Sequence, residues 1–373
     1  MDAALKEIAS STSREFPILV TGEGKQIEVS AAKEWIAAIA AKDKDAVIIV
    51  RWQGSAFSIP AAALPAGTDI RIVIGAPEPG VTDAWTKLLQ EEGFIPVAAP
   101  LTFKVEGKNT TGAYGEITDF GNNLLSHTFI VKGSDIHKAQ TAGVVYLPET
   151  GELRPVPVLF TDNADGTVTV DLKRKGNSVY GLVETTVSFT DSLAAWAQQD
   201  AWQAAAKLIV TSDAGGKFDG ARELNRAEVT SLIVRALGIL PDRSAAGTAF
   251  KDVAAESAYA ADIAAAKEAG LINGRGSGLF HPTASVTREE AAVILAKALA
   301  YAGISARTDS NALNRFTDRN KVSGYAVSSV ALLVERGIMN GVSASRLAPQ
   351  ATVTKEQATV LIMKTLRSAG LSD

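Results

Sequence analysis

The sequence predicts a multidomain chain: a β-rich (α+β) domain over residues 1–187, then an all-α unit over residues 188–373. Up to about residue 187, strand-length apolar runs alternate with clusters of Gly, Asn, Asp and Pro. After Phe189 the apolar spacing becomes helical. In that second half one motif grammar occurs three times in tandem. Phe189-Thr190-Asp191 leads to Asn225-Arg226-Ala227-Glu228, and Phe250-Lys251-Asp252 leads to Thr287-Arg288-Glu289-Glu290. Phe316-Thr317-Asp318 leads to Thr354-Lys355-Glu356-Gln357. The starts lie 61 and 66 residues apart, and the Phe-to-cation distances are 37, 38 and 39. So regular a period means one unit used three times, over about residues 189–240, 250–304 and 316–370.

In the first half, helical spacing covers Ala31–Ala41 and Thr82–Glu92, the second closed by Gly93. Ala46–Val50 reads as a strand buried on both faces and Ile70–Ile74 as an alternating one, with Ala56–Ile59 stopped at Pro60 between them. A meander follows: strands at Val144–Leu147, Leu153–Phe160, Thr167–Lys173 and Val179–Glu184, separated by turn clusters. A seam within this domain is expected near residues 95–104. In the second half each copy opens with an Ala-rich helix, at Ala194–Lys207, Ala258–Ala269 and Tyr325–Arg336. A second helix starts at the cation. Its apolar stripe is Val229, Leu232, Ile233, Ala236, Leu237 in the first copy, and the other two copies keep the same register.

Composition excludes several classes. The net charge of -4 gives no basic field for nucleic acid, and no run of 18 apolar residues exists to span a membrane. Cysteine is absent, which removes disulfides and thiolate metal sites. Met1-Asp2-Ala3-Ala4 lacks the basic and apolar regions of a signal peptide, so an exported form is expected to be processed or excised. His127, His137 and His281 fall in separate contexts, no Gly-x-Ser-x-Gly occurs, and Asp162–Gly166 reads as a turn and not a calcium loop. The sequence calls for no cofactor, metal or catalytic set.

The chemistry lies in the repeated helix start. Asn225, Thr287 and Thr354, with Glu228, Glu290 and Gln357 three positions on, are capping boxes. Arg226, Arg288 and Lys355 then occupy the first helical position, where a cation faces the positive end of the macrodipole at a cost of roughly 0.3–1 kcal/mol. One reason to place it there is an anion held by the cation and the free N–H groups of the first turn. The other is an internal ion pair to Asp191, Asp252 and Asp318. The first predicts that removing the cation leaves stability unchanged or slightly raised. Trp196, Tyr259 and Tyr325 read as core anchors, and Gly274, Gly276 and Gly278 as turn glycines whose N–H groups can meet a ligand.

Phe-x-Asp, Trp196-Ala197 with Tyr259-Ala260 and Tyr325-Ala326, Gly270-Leu271-Ile272-Asn273-Gly274, Phe280-His281-Pro282 and Thr287-Arg288-Glu289-Glu290 together resemble the S-layer homology (SLH) repeat. The resemblance implies an all-α three-repeat SLH spindle on the cell-wall or S-layer surface of a Gram-positive type bacterium. It implies binding of an anionic, pyruvate-ketal secondary cell-wall polysaccharide in grooves between repeats. Arg226, Arg288 and Lys355 would meet the carboxylate, with Asp191, Asp252, Asp318, Gly274, Gly276, Ser277 and Gly341 about them. The groove at Arg288 fits the pattern best, since Gly220 stands where Pro282 and Pro349 do and Lys355 replaces Arg. Residues 141–180 resemble the β-rich module that often precedes such triplets. The reading is a non-catalytic wall anchor with possible self-assembly. The alternatives are a fragment of a polysaccharide-active enzyme or a lattice-forming S-layer protein.

Overall fold

The computed structural model describes residues 3–305 and 309–373. Met1 and Asp2, part of the stretch in which no leader was read, lie outside them. The chain divides into two units, Met1–Thr186 and Val187–Asp373. No helix among the described residues is long and apolar enough to cross a membrane.

Among the described residues the first unit has two sheets and three α-helices. In order it runs α1 (Ala3–Ser10), β1 (Glu15–Leu19), β2 (Gln26–Ala31), α2 (Lys33–Lys42), β3 (Val47–Trp52), β4 (Ser55–Pro60), β5 (Ile70–Gly75) and α3 (Pro79–Glu92). It continues β6 (Ile95–Lys108), β7 (Tyr114–Glu116), β8 (Leu125–Lys132), β9 (Thr141–Leu147), β10 (Glu152–Val156), β11 (Val158–Asp162), β12 (Thr167–Arg174) and β13 (Ser178–Glu184). One sheet has the order β1-β3-β4-β8-β12-β11 and the other β10-β9-β13-β6-β5-β2, with β7 on β6. Among the described residues only β1 and β3 pair in parallel. The other pairs are antiparallel, and four of them, β3 with β4, β6 with β7, β9 with β10 and β11 with β12, join strands consecutive in the chain with no helix between. Three expectations fail here. The meander does not form, since β9, β10 and β13 lie in one sheet and β11 and β12 in the other. The seam near residues 95–104 is the body of β6, a single long strand that pairs with both β5 and β13. Leu153–Phe160 is two strands in different sheets, because Pro157 breaks the run between Val156 and Val158.

Aromatic rings fill the space between the sheets. Phe57, Phe103 and Tyr180 are fully buried, and His127 stacks on Tyr180 with ring centres 3.9 Å apart. Gly181 has a packing reason: a Cβ there would run into the Trp85 ring of α3, so glycine lets that helix lie on β13. His127 is wholly enclosed, and its Nδ1 donates to Leu172 O at 3.3 Å. Burial, with Arg174 nearby, pushes its pKa down to about 3, so the ring is neutral in the fold.

The second unit holds six α-helices among the described residues: α4 (Ala195–Ala206), α5 (Arg226–Ala236), α6 (Ala260–Glu268), α7 (Arg288–Tyr301), α8 (Val327–Glu335) and α9 (Lys355–Ser368). Thus each copy contributes two helices. The second helices α5, α7 and α9 contact one another, and their starts carry complete capping boxes at Asn225, Thr287 and Thr354. Each first helix packs on the second helix of the preceding copy: α6 on α5, α8 on α7, and α4 on α9. The cycle closes on itself. At its centre the buried residues before the caps bond in a ring: Leu224 N donates to Val353 O (3.1 Å), Val353 N to Val286 O (2.9 Å) and Val286 N to Leu224 O (3.4 Å).

The neutral His127 sets a pH response. Between pH 6.5 and 3 the unfolded chain takes up a proton that the folded chain refuses, so stability falls as pH drops through that window. The loss reaches about 4–5 kcal/mol at the acid end. Calorimetric melting of the N-terminal transition from pH 7 to pH 4 should show a smaller decline in His127→Phe than in the parent chain.

Candidate functional site

Each copy first fixes a tight turn. The Phe-x-Asp carboxylate accepts two consecutive backbone N–H groups, one per oxygen. Asp191 takes Phe218 and Asp219, Asp252 takes Phe280 and His281, and Asp318 takes Leu347 and Ala348, all at 2.7–2.8 Å. The second donor of each pair is a non-glycine residue at positive φ: Asp219 (55°), His281 (59°) and Ala348 (53°). These hydrogen bonds hold the carboxyls below their ordinary range. The three aspartates thus stabilise a strained turn. Among the described residues none pairs with Arg226, Arg288 or Lys355, so the internal ion pair, one of the two readings of these cations, is not made.

The free first-turn amides expected of an anion site are not free either. Arg226 N donates to Ala284 O and Ala227 N to Pro282 O, while Glu228 N donates to the Asn225 cap. Arg288 N goes to Ala351 O, Glu289 N to Pro349 O, Lys355 N to Arg222 O and Glu356 N to Gly220 O. Every helix start is therefore seated on carbonyls of the next copy. The basic side chain extends that ladder by one rung. Arg226 Nε donates to Phe280 O (2.9 Å) and Arg288 Nε to Leu347 O (3.1 Å). Alternate carbonyls, at 280, 282 and 284, thus face one helix end. Their negative ends offset the unfavourable dipole, which explains a cation at the first helical position.

The side chains differ beyond that rung. Arg226 lies over the Phe280 ring, 4.8 Å from its centre, and neither Nη atom has a partner among the described residues. Arg288 commits Nη2 to Asn340 O at 2.6 Å. Lys355 lies over Phe218 and donates to Thr211 O at 2.8 Å. Burial lowers the pKa of all three, a sign that the charge has lost water without gaining a full counter-ion.

Two clefts open at these cations, and each draws on all three copies. A cleft of about 550 Å³ is lined by Arg226 of copy one, the loop Leu271–Arg275 with Glu290, Val293, Ile294 and Lys297 of copy two, and Tyr325 of copy three. A second, of about 460 Å³, is lined by Arg288 of copy two, Ile338, Asn340, Gly341, Val342, Gln357, Val360, Leu361 and Lys364 of copy three, and Trp196 of copy one. Gly274 therefore joins Arg226 and not Arg288, whose partner is Gly341. Gly276 and Ser277 line neither cleft; both have positive φ in the exposed turn where Leu279 N donates to Gly276 O.

The aromatic reading is corrected. Trp196 and Tyr325 are 57% and 65% exposed and form cleft walls, Tyr259 is half-buried, and none is a core anchor. Sequence reasoning also missed a second cation. Arg235, Lys297 and Lys364 stand nine residues after the first in all three copies, a repetition that was available to find them. Lys297 and Lys364 line the two clefts, and Arg235 Nη2 donates to Leu208 O at 2.6 Å. The clefts also differ in charge: Arg275 pairs with Glu290 in the first, where the second has Val342 and Gln357.

The bonding of Arg288 reverses the expectation drawn from helix polarity. Arg288→Ala removes two charged hydrogen bonds to carbonyls and should cost about 1.5–3 kcal/mol. Arg226→Ala, losing one, should cost less. Denaturant unfolding of the C-terminal unit measures both, and an Arg288→Ala chain as stable as the parent would contradict this bonding.

Residues 249–292 and 315–359, which are copies two and three, match the S-layer homology domain. Over 361 residues, 95% of the chain, it is 26% identical to an amylopullulanase of Thermoanaerobacterium thermosulfurigenes, of which 18% is covered. It is 30% identical over 183 residues to the exoglucanase XynX of Acetivibrio thermocellus, 49% of this chain and 16% of that protein. It is 29% identical over 163 residues to the surface-layer 125 kDa protein of Lysinibacillus sphaericus, 43% and 13% respectively. The chain thus spans less than a fifth of the length of these relatives.

Proposed function

From the premise that this chain is an S-layer homology domain protein, we propose that residues 188–373 form a three-repeat helical spindle that anchors a surface protein to the bacterial wall. The ligand is an anionic secondary cell-wall polysaccharide, and its pyruvate-ketal carboxylate meets the cation at the base of each cleft. Residues 1–187 act as a β-rich spacer without a catalytic role, and the first copy, about 189–240, is a third repeat of the same kind. Its Asp191 turn, capping box and seated helix start, which follow the other two copies, support that reading.

One observation carries the proposal. Arg226 is buried at its root, has both Nη atoms uncommitted, and faces a cleft with an exposed tyrosine on one wall. A guanidinium so held accepts a carboxylate through two parallel hydrogen bonds, which a lysine does not. Tyr325 and Trp196 offer flat apolar faces to a sugar ring, with Lys297 and Lys364 as second donors. The geometry favours Arg226 over Arg288, which has spent one nitrogen on Asn340, and favours Lys355 least. The match of 95% of this chain to under a fifth of an amylopullulanase supports an attachment role, compatible with chains of different activity. The enzyme-fragment and lattice readings have no such geometric support.

Calorimetry of the full chain with ketal-bearing and ketal-free polymer should differ by about 1.5–3 kcal/mol for each charged hydrogen bond lost. Equal affinities would remove the carboxylate from the reading. Arg226→Gln should weaken wall binding more than Lys355→Gln. In sedimentation with purified walls, residues 188–373 should pellet and residues 1–187 should stay in solution; the reverse would overturn the assignment.

A further inference from the structure

The second cleft carries a chemical peculiarity at its lip. Asn340 is exposed, and its carboxamide has no partner among the described residues. The next residue is glycine because the fold permits nothing larger: a Cβ at Gly341 would press on Ser343 O, on Arg346 O at 2.6 Å and on the Phe316 ring at 2.7 Å. Gly341 N donates to no protein acceptor among the described residues. Arg288 Nη2 donates to Asn340 O, the carbonyl of the same peptide group.

We propose that Asn340 is a site of spontaneous deamidation, driven by Gly341 N and promoted by Arg288, and that the carboxylate it forms silences this cleft. Three conditions meet. With no side chain at Gly341, nothing shields its nitrogen from the Asn340 side chain. The Asn340 carboxamide is not tied down by a competing hydrogen bond. The guanidinium on Asn340 O draws electron density from the peptide group and favours the deprotonated Gly341 nitrogen, as any nearby cation favours an anion.

The chemistry balances with water alone. Gly341 N gives its proton to hydroxide and bonds to Asn340 Cγ. The Cγ–N bond of the carboxamide breaks, and ammonia leaves with a proton from solvent, giving a five-membered imide. Water then adds to either imide carbonyl and opens the ring. The product is aspartate, or isoaspartate when the main chain is rerouted through the side chain. Either carries a carboxylate within the cleft that holds Arg288. That carboxylate competes for the guanidinium, a consequence that rests on reading the cleft as an anion site.

The first cleft supplies an internal control. Asn273-Gly274 repeats the exposed asparagine and the forced glycine, with a Cβ at 274 meeting Leu279 O at 2.7 Å. There, however, the one hydrogen bond that the Arg226 side chain makes among the described residues goes to Phe280 O, so none of them brings a guanidinium to the Asn273 carbonyl. Asn340 should therefore convert several-fold faster than Asn273 in the same molecule.

The test incubates the full chain at pH 7 to 9 and maps peptides by mass, reading a gain of one mass unit and isoaspartate at each site. Conversion at 340 ahead of 273, rising with hydroxide, supports the proposal. Equal rates, or 273 ahead, overturn it in the unmodified chain, whatever variants do. Arg288→Gln should slow position 340 to the rate of 273 and leave 273 unchanged; an unchanged rate at 340 would remove Arg288 from the mechanism. Wall binding by Asn340→Asp is a separate arm. If conversion occurs as described but this variant binds as well as the parent, the silencing fails and with it the anion reading of that cleft, while the chemistry stands.

Discussion

Three helices whose N-termini meet must find acceptors for the amides of their first turns, and the helical unit is organised by how it does so. Capping boxes satisfy only part of the demand. The remainder is met across copies, where each helix start sits on alternate carbonyls of the next copy's loop. The ring through Leu224, Val286 and Val353 ties the three arrangements into a single cycle. One copy alone would leave the first two amides of its second helix without acceptors. Three are needed to close the account.

The same constraint places the basic residues. A guanidinium at the first helical position lies among loop carbonyls and continues the backbone ladder, so its root is buried while its tip reaches a cleft. The position serves structure and ligand together. It also explains why the clefts are composite: helix, loop and aromatic wall come from three different copies. Small departures then act on whole clefts. Glu289 accepts from Ser323 N and Oγ and from Tyr325 OH, fixing one cleft wall, and Glu356 accepts from Ala194 N. Copy one has Ala227 at that place, and its seam to copy two is held instead by Ser231 on Asp262.

The β-rich unit satisfies its backbone by a different route, within two sheets. Its specificity comes from side chains between them, where a neutral histidine stacks on Tyr180 and a glycine admits Trp85. Arg174 reaches the Tyr180 hydroxyl at 2.8 Å, so a charge near the core is bonded and not stranded. These contacts give the β-rich unit an acid-sensitive core, whereas the polar chemistry of the helical unit concerns helix ends.

What the sequence determined was local. Asn225, Thr287 and Thr354 with their partners three residues on specify helix starts, and the apolar stripes after them specify a buried face, because both patterns act within one or two turns. Turn clusters likewise marked where the strands end. Tertiary structure decided what each local piece would meet. That Arg226 would share a cleft with Gly274, that Tyr325 would wall the cleft of another copy, and that the aspartates would serve turns depends on contacts tens of residues apart. The split of Leu153–Phe160 between two sheets at Pro157, and the passage of β6 through an expected seam, have the same origin. A strand's apolar pattern records that it is buried but not which sheet buries it. A cation's place on a helix records its own dipole, while the carbonyls that make the place tolerable belong to the next copy.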